Sequence, residues 1–303
     1  MNLSRIGLDL AKQVFQVHGV DRHEHVVCRR QLKRAQVRDF FRQLPPCLVA
    51  IKHDAHDAEA ICEAASRPSM RYVPVKSAEQ QAVQSVHRVR SRLVRARTAL
   101  CNEVRGLLGE FGLIATRRGR AATMALLETV TATEPAPLPA PMGELLRELK
   151  DELQTLEARI ARLERQIQAH VRGDARIQRL LAVEGIGPIS ASAVAASAGD
   201  ARQFRTGRQF AAWLGLVPRQ HSTGGQQRLG NISKRGDTYL RTLLIHGARA
   251  VVRCCANKTD ARSRWLQGLL QRRPANVVAV ALANKNARIL WALLSRETCY
   301  RPG

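Results

Sequence analysis

Short apolar runs open the chain: Ile6-Gly-Leu-Asp-Leu10, Val14-Phe-Gln-Val-His-Gly-Val20 and His25-Val-Val-Cys28, divided by polar stretches of turn-forming residues. That pattern predicts a three-stranded antiparallel meander. From Leu32 to Leu44 the apolar positions Val37, Phe40, Phe41 and Leu44 fall at helical spacing, and Pro45-Pro46 ends the helix. Cys47 to Ile51 is a continuous apolar run that suits a buried, parallel strand. The order so far is βββαβ, with strand one in the middle of a ribonuclease-H-like sheet.

From Ser77 to about Leu113 the pattern changes to one long helix. Val83, Val86, Val89 or Arg90, Leu93, Leu100, Val104, Leu107 and Phe111 lie on one side, and Arg88, Arg90, Arg92, Arg95, Arg97 and Arg105 on the other. Thr129 to Pro141, "TVTATEPAPLPAP", has the composition of a linker and a domain boundary. Leu146, Leu149, Leu153, Leu156, Ile160, Leu163 and Ile167 then step by three and four, the spacing of a coiled-coil arm or of one leg of an antiparallel helical hairpin. Beyond Ile177 the chain is helical and punctuated by glycines. A helix ends at Glu184, Gly185-Ile186-Gly187 turns, and Pro188 opens a small-residue helix. An element from Phe204 to Leu216, a polar Gly-rich loop from Pro218 to Gly236, and helices over Asp237–Arg253, 260–271 and 276–295 follow. The expected organisation is an α/β domain over 1–76, an Arg-rich helix region over 77–128, a linker over 129–143, a coiled-coil arm over 144–172 and an all-α C-terminal domain over 173–303.

Charge changes the meaning of the arginine face. Among 303 residues, Lys and Arg number 49 and Asp and Glu 25, a net charge of +24 spread along the chain. Such an excess points to a polyanionic partner, nucleic acid before an acidic membrane surface. A solvated helix face normally mixes signs, whereas only Glu103 interrupts this one, so phosphate contact is the expectation for Arg88, Arg90, Arg92, Arg95 and Arg97. No apolar run approaches the roughly 20 residues of a spanning helix, and the first ten residues carry no signal-peptide core. The expected location is cytoplasmic and nucleoid-associated, with no membrane partner. The seven cysteines form no C-x-x-C pair and read as reduced, mostly buried thiols.

Four constellations carry chemistry. Asp9 interrupts an apolar strand, where an ionised carboxylate is costly unless it binds something. Asp54 and Asp57, three apart, share one face of a helical turn. The same spacing would suit acids held by a helix macrodipole, and Asp9 tips the reading towards a Mg²⁺ site built from carboxylate oxygens. His53 and His56 offer a zinc reading without a third, separated ligand set. Gly185 and Gly187 have the features of a helix-hairpin-helix, in which backbone amides approach a phosphate at a helix N-terminus. In "PRQHSTGGQQRLGNISKRGD", Ser222 stands among glycines with Arg219, Arg228, Lys234 and Arg235. A serine there could attack a phosphodiester while guanidinium groups neutralise the transition state. Ser233 is the rival serine, in a stretch that reads more simply as the approach to the next helix.

Together, "IGLDLAKQVFQVHGVD", "KHDAHDAEAI", "LLAVEGIGPISA" and "FAAWLGLVPRQHSTGGQQRLGNISKRGDTYLRTLLIHGARAV" resemble the DEDD-type transposases of bacterial insertion sequences over nearly the whole chain. The resemblance implies a Holliday-junction-resolvase-like (RuvC-like) N-terminal domain, a serine-bearing C-terminal domain, Mg²⁺, DNA ends and target as partners, a structured bridge RNA as guide, and a dimer or tetramer. It matches Asp9 to the first acid, Asp54 and Asp57 to the third and fourth, and Ser222 to the nucleophile. The second acid, a Glu at the end of the fourth strand, is missing: Ile51 is followed by Lys52. Also missing is the helix and fifth strand of such a sheet, a βαβ unit of roughly 30 residues or more. An internal deletion joining the fourth strand to the helix of Asp54 is the simplest reading, with a truncated sheet, exposed apolar surface and impaired strand transfer as consequences. Two other functions fit the residues. One is a non-enzymatic nucleic-acid-binding remnant, and the other is a junction-resolving endonuclease that uses the carboxylates alone.

Overall fold

The computed structural model describes residues 3–10, 12–52, 58–68, 70, 73–115, 117, 119–133, 138–221, 223 and 226–300. Two compact units divide the chain, Met1–Val73 and Pro74–Gly303.

In the first unit, β1 (Arg5–Leu10), β2 (Val14–Val20) and β3 (Val26–Lys33) form the antiparallel meander. The helix α1 (Arg34–Arg42) leads to β4 (Leu48–Lys52), which pairs parallel to β1. The sheet order is β3-β2-β1-β4, so β1 is internal and β4 lies at the edge. Alternation of side chains along β1 decides its two faces. Ile6 and Leu8 join Phe15, Val17, Cys28 and Leu32 in a core that Val37, Phe40 and Phe41 of α1 close. Gly7 and Asp9 belong to the opposite face, against which the helix α2 (Ala58–Ala64) packs with Ile61. On the edge strand, Leu48 and Ile51 are 47% and 50% exposed.

The second unit starts with α3 (Ala78–Glu110), capped by Ser77: its Oγ accepts from the Gln80 amide at 3.1 Å while the Gln80 side chain accepts from the Ser77 amide at 2.9 Å. This Ser-x-x-Gln box fixes the start of the helix. After it come α4 (Arg120–Ala132) and α5 (Ala140–Gly173). The leucine stripe of α5 is spent inside the chain. Leu146, Leu153, Leu156 and Ile160 share one core with Leu93, Leu100, Val104 and Leu108 of α3 and with Leu127 and Val130 of α4. The coiled-coil expectation is corrected accordingly: the three-four spacing marks one leg of an internal helical hairpin. Thr129 to Ala132 are the last turn of α4, so the Pro/Ala stretch joins two helices of one core. Its composition mimics a domain linker because small and proline residues serve equally in a helix-to-helix connection.

A second core gathers the rest of the unit: α6 (Ala175–Leu180), α7 (Pro188–Ala198), α8 (Gly207–Trp213), α9 (Thr238–Arg253), α10 (Ala261–Leu270) and α11 (Ala275–Arg296). The C-terminal region is not purely helical. β5 (Pro218–Gln220) and β6 (Leu229–Ile232) form a small antiparallel ribbon within the polar loop. Its residues are largely exposed, which removes the apolar alternation that would have announced it. The first helix of the hairpin at Gly185 ends at Leu180, with a turn taking the chain on to Glu184. By length and composition alone α11 is apolar enough to cross a membrane, a test that the core helix of a folded unit also passes. It buries Val278, Leu282, Ala283, Leu290 and Leu293 within the unit and carries Lys285 and Arg288 on its exposed side.

Candidate active site and nucleic-acid interface

Asp9 is 4% exposed on the internal strand and pairs in backbone register with Gln16 on one side and Lys52 on the other. The face it shares with Gly7 is covered at very close range: a Cβ on Gly7 would overlap the Ala58 carbonyl oxygen and press on the Cys62 amide and Cβ. Glycine at position 7 therefore lets the start of α2 lie directly on β1, two residues from Asp9. Asp54 and Asp57, with His53 and His56, lie outside the described residues. Gly7→Ala is expected to cost roughly 3 kcal/mol, because backbone rather than a movable side chain blocks the added methyl. The urea midpoint of unfolding of the first unit reads this directly.

Two acids that could have replaced the missing one are engaged elsewhere. Glu59 accepts from Arg29 at 3.1 Å and Glu63 from Arg67 at 3.0 Å, both pairs well exposed. Among the described residues no three His, Cys, Asp or Glu side chains come together as a metal site.

The arginine face of α3 is divided. Arg90 is half-buried and its Nε donates to Glu164 of α5 at 2.9 Å, so it braces two helices and is not part of an open phosphate surface. Arg88, Arg92 and Arg95 are exposed, and Arg97 partly so. Arg88 and Arg95, two helical turns apart, line a cavity of about 180 Å³ with Gln84, Ser91 and Ser197. The buried stripe of α3 also differs from the expected one: His87 is inside, while Val89 and Phe111 are exposed.

His87 joins three helices. Its Nδ1 lies 3.1 Å from the Tyr239 hydroxyl of α9 and its Nε2 3.1 Å from the Ser192 hydroxyl of α7. Burial, with Arg90 and His170 beside it, pushes its pKa down from 6.5 to about 4. The unfolded chain thus takes up a proton that the folded chain refuses between those values. Stability is whole above about pH 6.5 and falls as the pH drops to about 4, by roughly 3 kcal/mol from this group. His87→Gln is expected to remove that component, measured as the difference between wild-type and variant unfolding free energies above and below the window.

The two glycines of the hairpin have different uses. Gly185 has φ +84°, and a Cβ there would meet the Gly247 carbonyl at 2.8 Å, so its position serves a tight turn docked on α9. Gly187 is exposed at the N-terminus of α7, where a Cβ would meet nothing within 4 Å. The turn is anchored from the other side as well. Glu184 pairs with Arg262 at 3.1 Å, and its carbonyl accepts from Asn286 at 3.0 Å.

Ser222 lies outside the described residues; in sequence it falls between β5 and β6. The ribbon closes with the His221 amide donating to the Arg228 carbonyl at 2.9 Å and continues outward through the bridge between Thr223 and Gln226. Arg219 donates to the Ser233 carbonyl at 3.4 Å, while Arg228, Lys234 and Arg235 are exposed. The base is held by a residue that the sequence did not single out. Arg241 is 8% exposed, and its Nη1 donates to the carbonyls of Leu214 and Arg235, each at 3.2 Å. Its Nη2 donates to Thr238 Oγ1 at the same distance. The guanidinium therefore ties the end of α8, the loop after β6 and the start of α9 into one support. An arginine within the stripe of α9 was the available signal, since a buried cation requires several acceptors.

Comparison with known proteins bears on the whole chain. A family model described as Transposase, IS116/IS110/IS902 family, matches residues 177–264, and a DEDD transposase model of the IS110 type matches residues 47–112. A probable family 20 transposase of Pseudomonas aeruginosa is 89% identical over 338 aligned positions that cover 100% of both chains. The transposase for insertion sequence element IS1111A of Coxiella burnetii is 42% identical over 333 positions, covering 98% of this chain and 91% of the relative. The transposase for IS1328 of Yersinia enterocolitica is 37% identical over 334 positions, covering 99% of each. The chain belongs to the IS116/IS110/IS902 family of insertion-sequence transposases, proteins that act on DNA.

Proposed function

We propose that this chain is built to cut and rejoin DNA through Ser222, with the acidic site at Asp9 assisting, and that it lacks a segment which leaves its strand-transfer activity impaired. In the cutting step the Ser222 oxygen attacks a DNA phosphorus, a phosphoserine ester forms as the bond from phosphorus to the deoxyribose oxygen breaks, and the departing oxygen takes up the proton that the serine hydroxyl gives up. Attack by a second deoxyribose hydroxyl reverses the chemistry on a new strand and frees the serine. Arg219, Arg228, Lys234 and Arg235 are the cations in sequence reach of the phosphate. What supports this reading is the exposed ribbon of β5 and β6 with Arg219, Arg228, Lys234 and Arg235 along it and a buried arginine clamping its base, since Ser222 follows β5 in the sequence.

DEDD-type transposases typically use a divalent metal. The donor chemistry here fits a hard cation such as Mg²⁺, since Asp9 is a carboxylate held inside the sheet and Asp54 and Asp57 would supply further oxygens. When bound, such an ion neutralises charge developing on the phosphate.

Four observations support the missing segment. The alignment with the P. aeruginosa relative runs over 338 positions against 303 residues in this chain, so 35 positions have no residue opposite them. An identity of 89% over 338 positions amounts to about 300 matches, nearly every residue present. Aligned lengths of 333 and 334 with the IS1111A and IS1328 proteins show the same surplus. Finally, β4 ends at Lys52 in place of an acid and exposes Leu48 and Ile51 at the sheet edge, as a strand deprived of its neighbour would. The guide RNA, the cytoplasmic location and a dimer or tetramer belong to the proposal through the resemblance. The leucine stripe, spent internally, adds no support for an oligomer.

The serine role is tested by trapping. A chain with the missing segment restored, incubated with its element ends and Mg²⁺, is expected to give a covalent protein–DNA adduct on a denaturing gel that Ser222→Ala abolishes. An adduct that survives Ser222→Ala overturns the assignment, and strand cutting without any adduct would favour an endonuclease using the carboxylates alone.

A further inference from the structure

Between α8, α10 and α11 lies a cavity of about 760 Å³ that the proposed chemistry does not use. Trp265 and Trp291 line it, with Arg208, Lys285, Arg288 and Asn284. Among the described residues no carboxylate lines it or pairs with any of the three cations. The chain has three tryptophans, and two of them meet in this one basic cavity.

The two rings differ in role. Trp291 is a fixed wall: its Nε1 donates to the carbonyls of Ala201 and Phe204 at 3.1 and 3.0 Å. Trp265 is 36% exposed, and the Lys285 ammonium rests over its ring at 4.6 Å from the centroid. Arg208, Lys285 and Arg288 are all exposed around it. A solvent-facing aromatic surface with cations at its rim matches the two halves of a nucleotide, a base with a π-face and a phosphate with negative charge. The volume suits a small-ligand site.

We propose that this cavity holds an unpaired nucleotide, its base stacked on Trp265 and its flanking phosphates met by Arg208, Lys285 and Arg288. An exposed cation–π contact is weaker than base stacking, so the base displaces Lys285 from the ring, and the freed ammonium moves to a phosphate. A base held in a duplex has its faces covered by its neighbours and cannot enter. The site thus distinguishes single strands, whether melted DNA or an RNA loop, from the duplex, and it does so without base-edge contacts. The inference rests on the reading of the chain as a nucleic-acid-handling transposase and adds to it a subsite separate from the serine ribbon.

The test uses the full chain and three labelled probes: single-stranded DNA, single-stranded RNA and duplex DNA, followed by fluorescence anisotropy. Trp265→Ala is expected to weaken single-strand binding about tenfold, the order of one stacked base, and to leave duplex binding unchanged within about twofold. Trp265→Phe should recover most of the loss. The double variant Arg208→Gln/Lys285→Gln, exposed at both positions, should weaken the same probes with a shallower salt dependence, and it decides the matter if Trp265→Ala lacks a cooperative unfolding transition. A loss confined to RNA, to DNA, or shared by both supports the proposal and names the strand. Unchanged single-strand binding, or an equal loss on the duplex, overturns the proposal while the transposase reading stands. A wild-type chain that binds none of the probes overturns both.

Discussion

On the proposed reading that a segment is missing after β4, inserting between Ile51 and Lys52 the stretch of the P. aeruginosa relative that has no counterpart in this chain is expected to raise excision and circle-junction formation on the order of a thousandfold. The size follows from the chemistry. A completed carboxylate set holding a hard cation stabilises the charge on a reacting phosphate by several kcal/mol, and each 1.4 kcal/mol is a factor of ten in rate. The same insertion should also stabilise the first unit, because Leu48 and Ile51 would pass from about half exposure to burial, a gain of about 2 kcal/mol from those two side chains. Replacing the restored acid at the end of β4 by glutamine should return activity to the level of the shorter chain while keeping the added stability. If stability rises and activity does not, the loss of function lies outside the acidic site.

Arg241→Leu is expected to destabilise the second unit by about 4 kcal/mol. The substitution leaves the Leu214 and Arg235 carbonyls without their donors in a buried setting, and removes the link to Thr238. Arg241→Lys keeps the charge but cannot reach separated acceptors with a planar fork, so it should recover only part of the loss. Hydrogen exchange separates this local role from general damage. Amides of the ribbon, including the Ser233 amide that donates to Val217 at 2.8 Å, should lose protection before those of α11. Equal loss everywhere would mean that Arg241 supports the whole core and has no special relation to the serine ribbon.

Much of the architecture could be read from local pattern. The meander, the helix ended by Pro45-Pro46, the parallel strand after it and the long helix begun by a Ser77–Gln80 box all depend on residues close in sequence, and all are present. What escaped depends on distant partners. Arg90 looks like any other member of a basic helix face until Glu164, 74 residues away, is placed against it. His87 was passed over in favour of Val86 and Val89, because its burial is made tolerable only by hydroxyls on α7 and α9. The β5-β6 ribbon carries no apolar alternation, since both faces meet solvent. At the acidic site the sequence placed Asp9 on an internal strand, where it is 4% exposed. Gly7 had been read only as part of a strand, although its missing side chain is what lets α2 approach.

The central claim is that the chain keeps a transposase's nucleic-acid grip while its strand transfer is impaired. Its most direct test is a circle-junction assay with the purified 303-residue chain, its element ends and Mg²⁺, run beside a gel-shift titration on the same DNA. The DNA should be shifted and the junction product should stay at the level of a Ser222→Ala control. Junction formation matching that of the longer P. aeruginosa relative would contradict the claim.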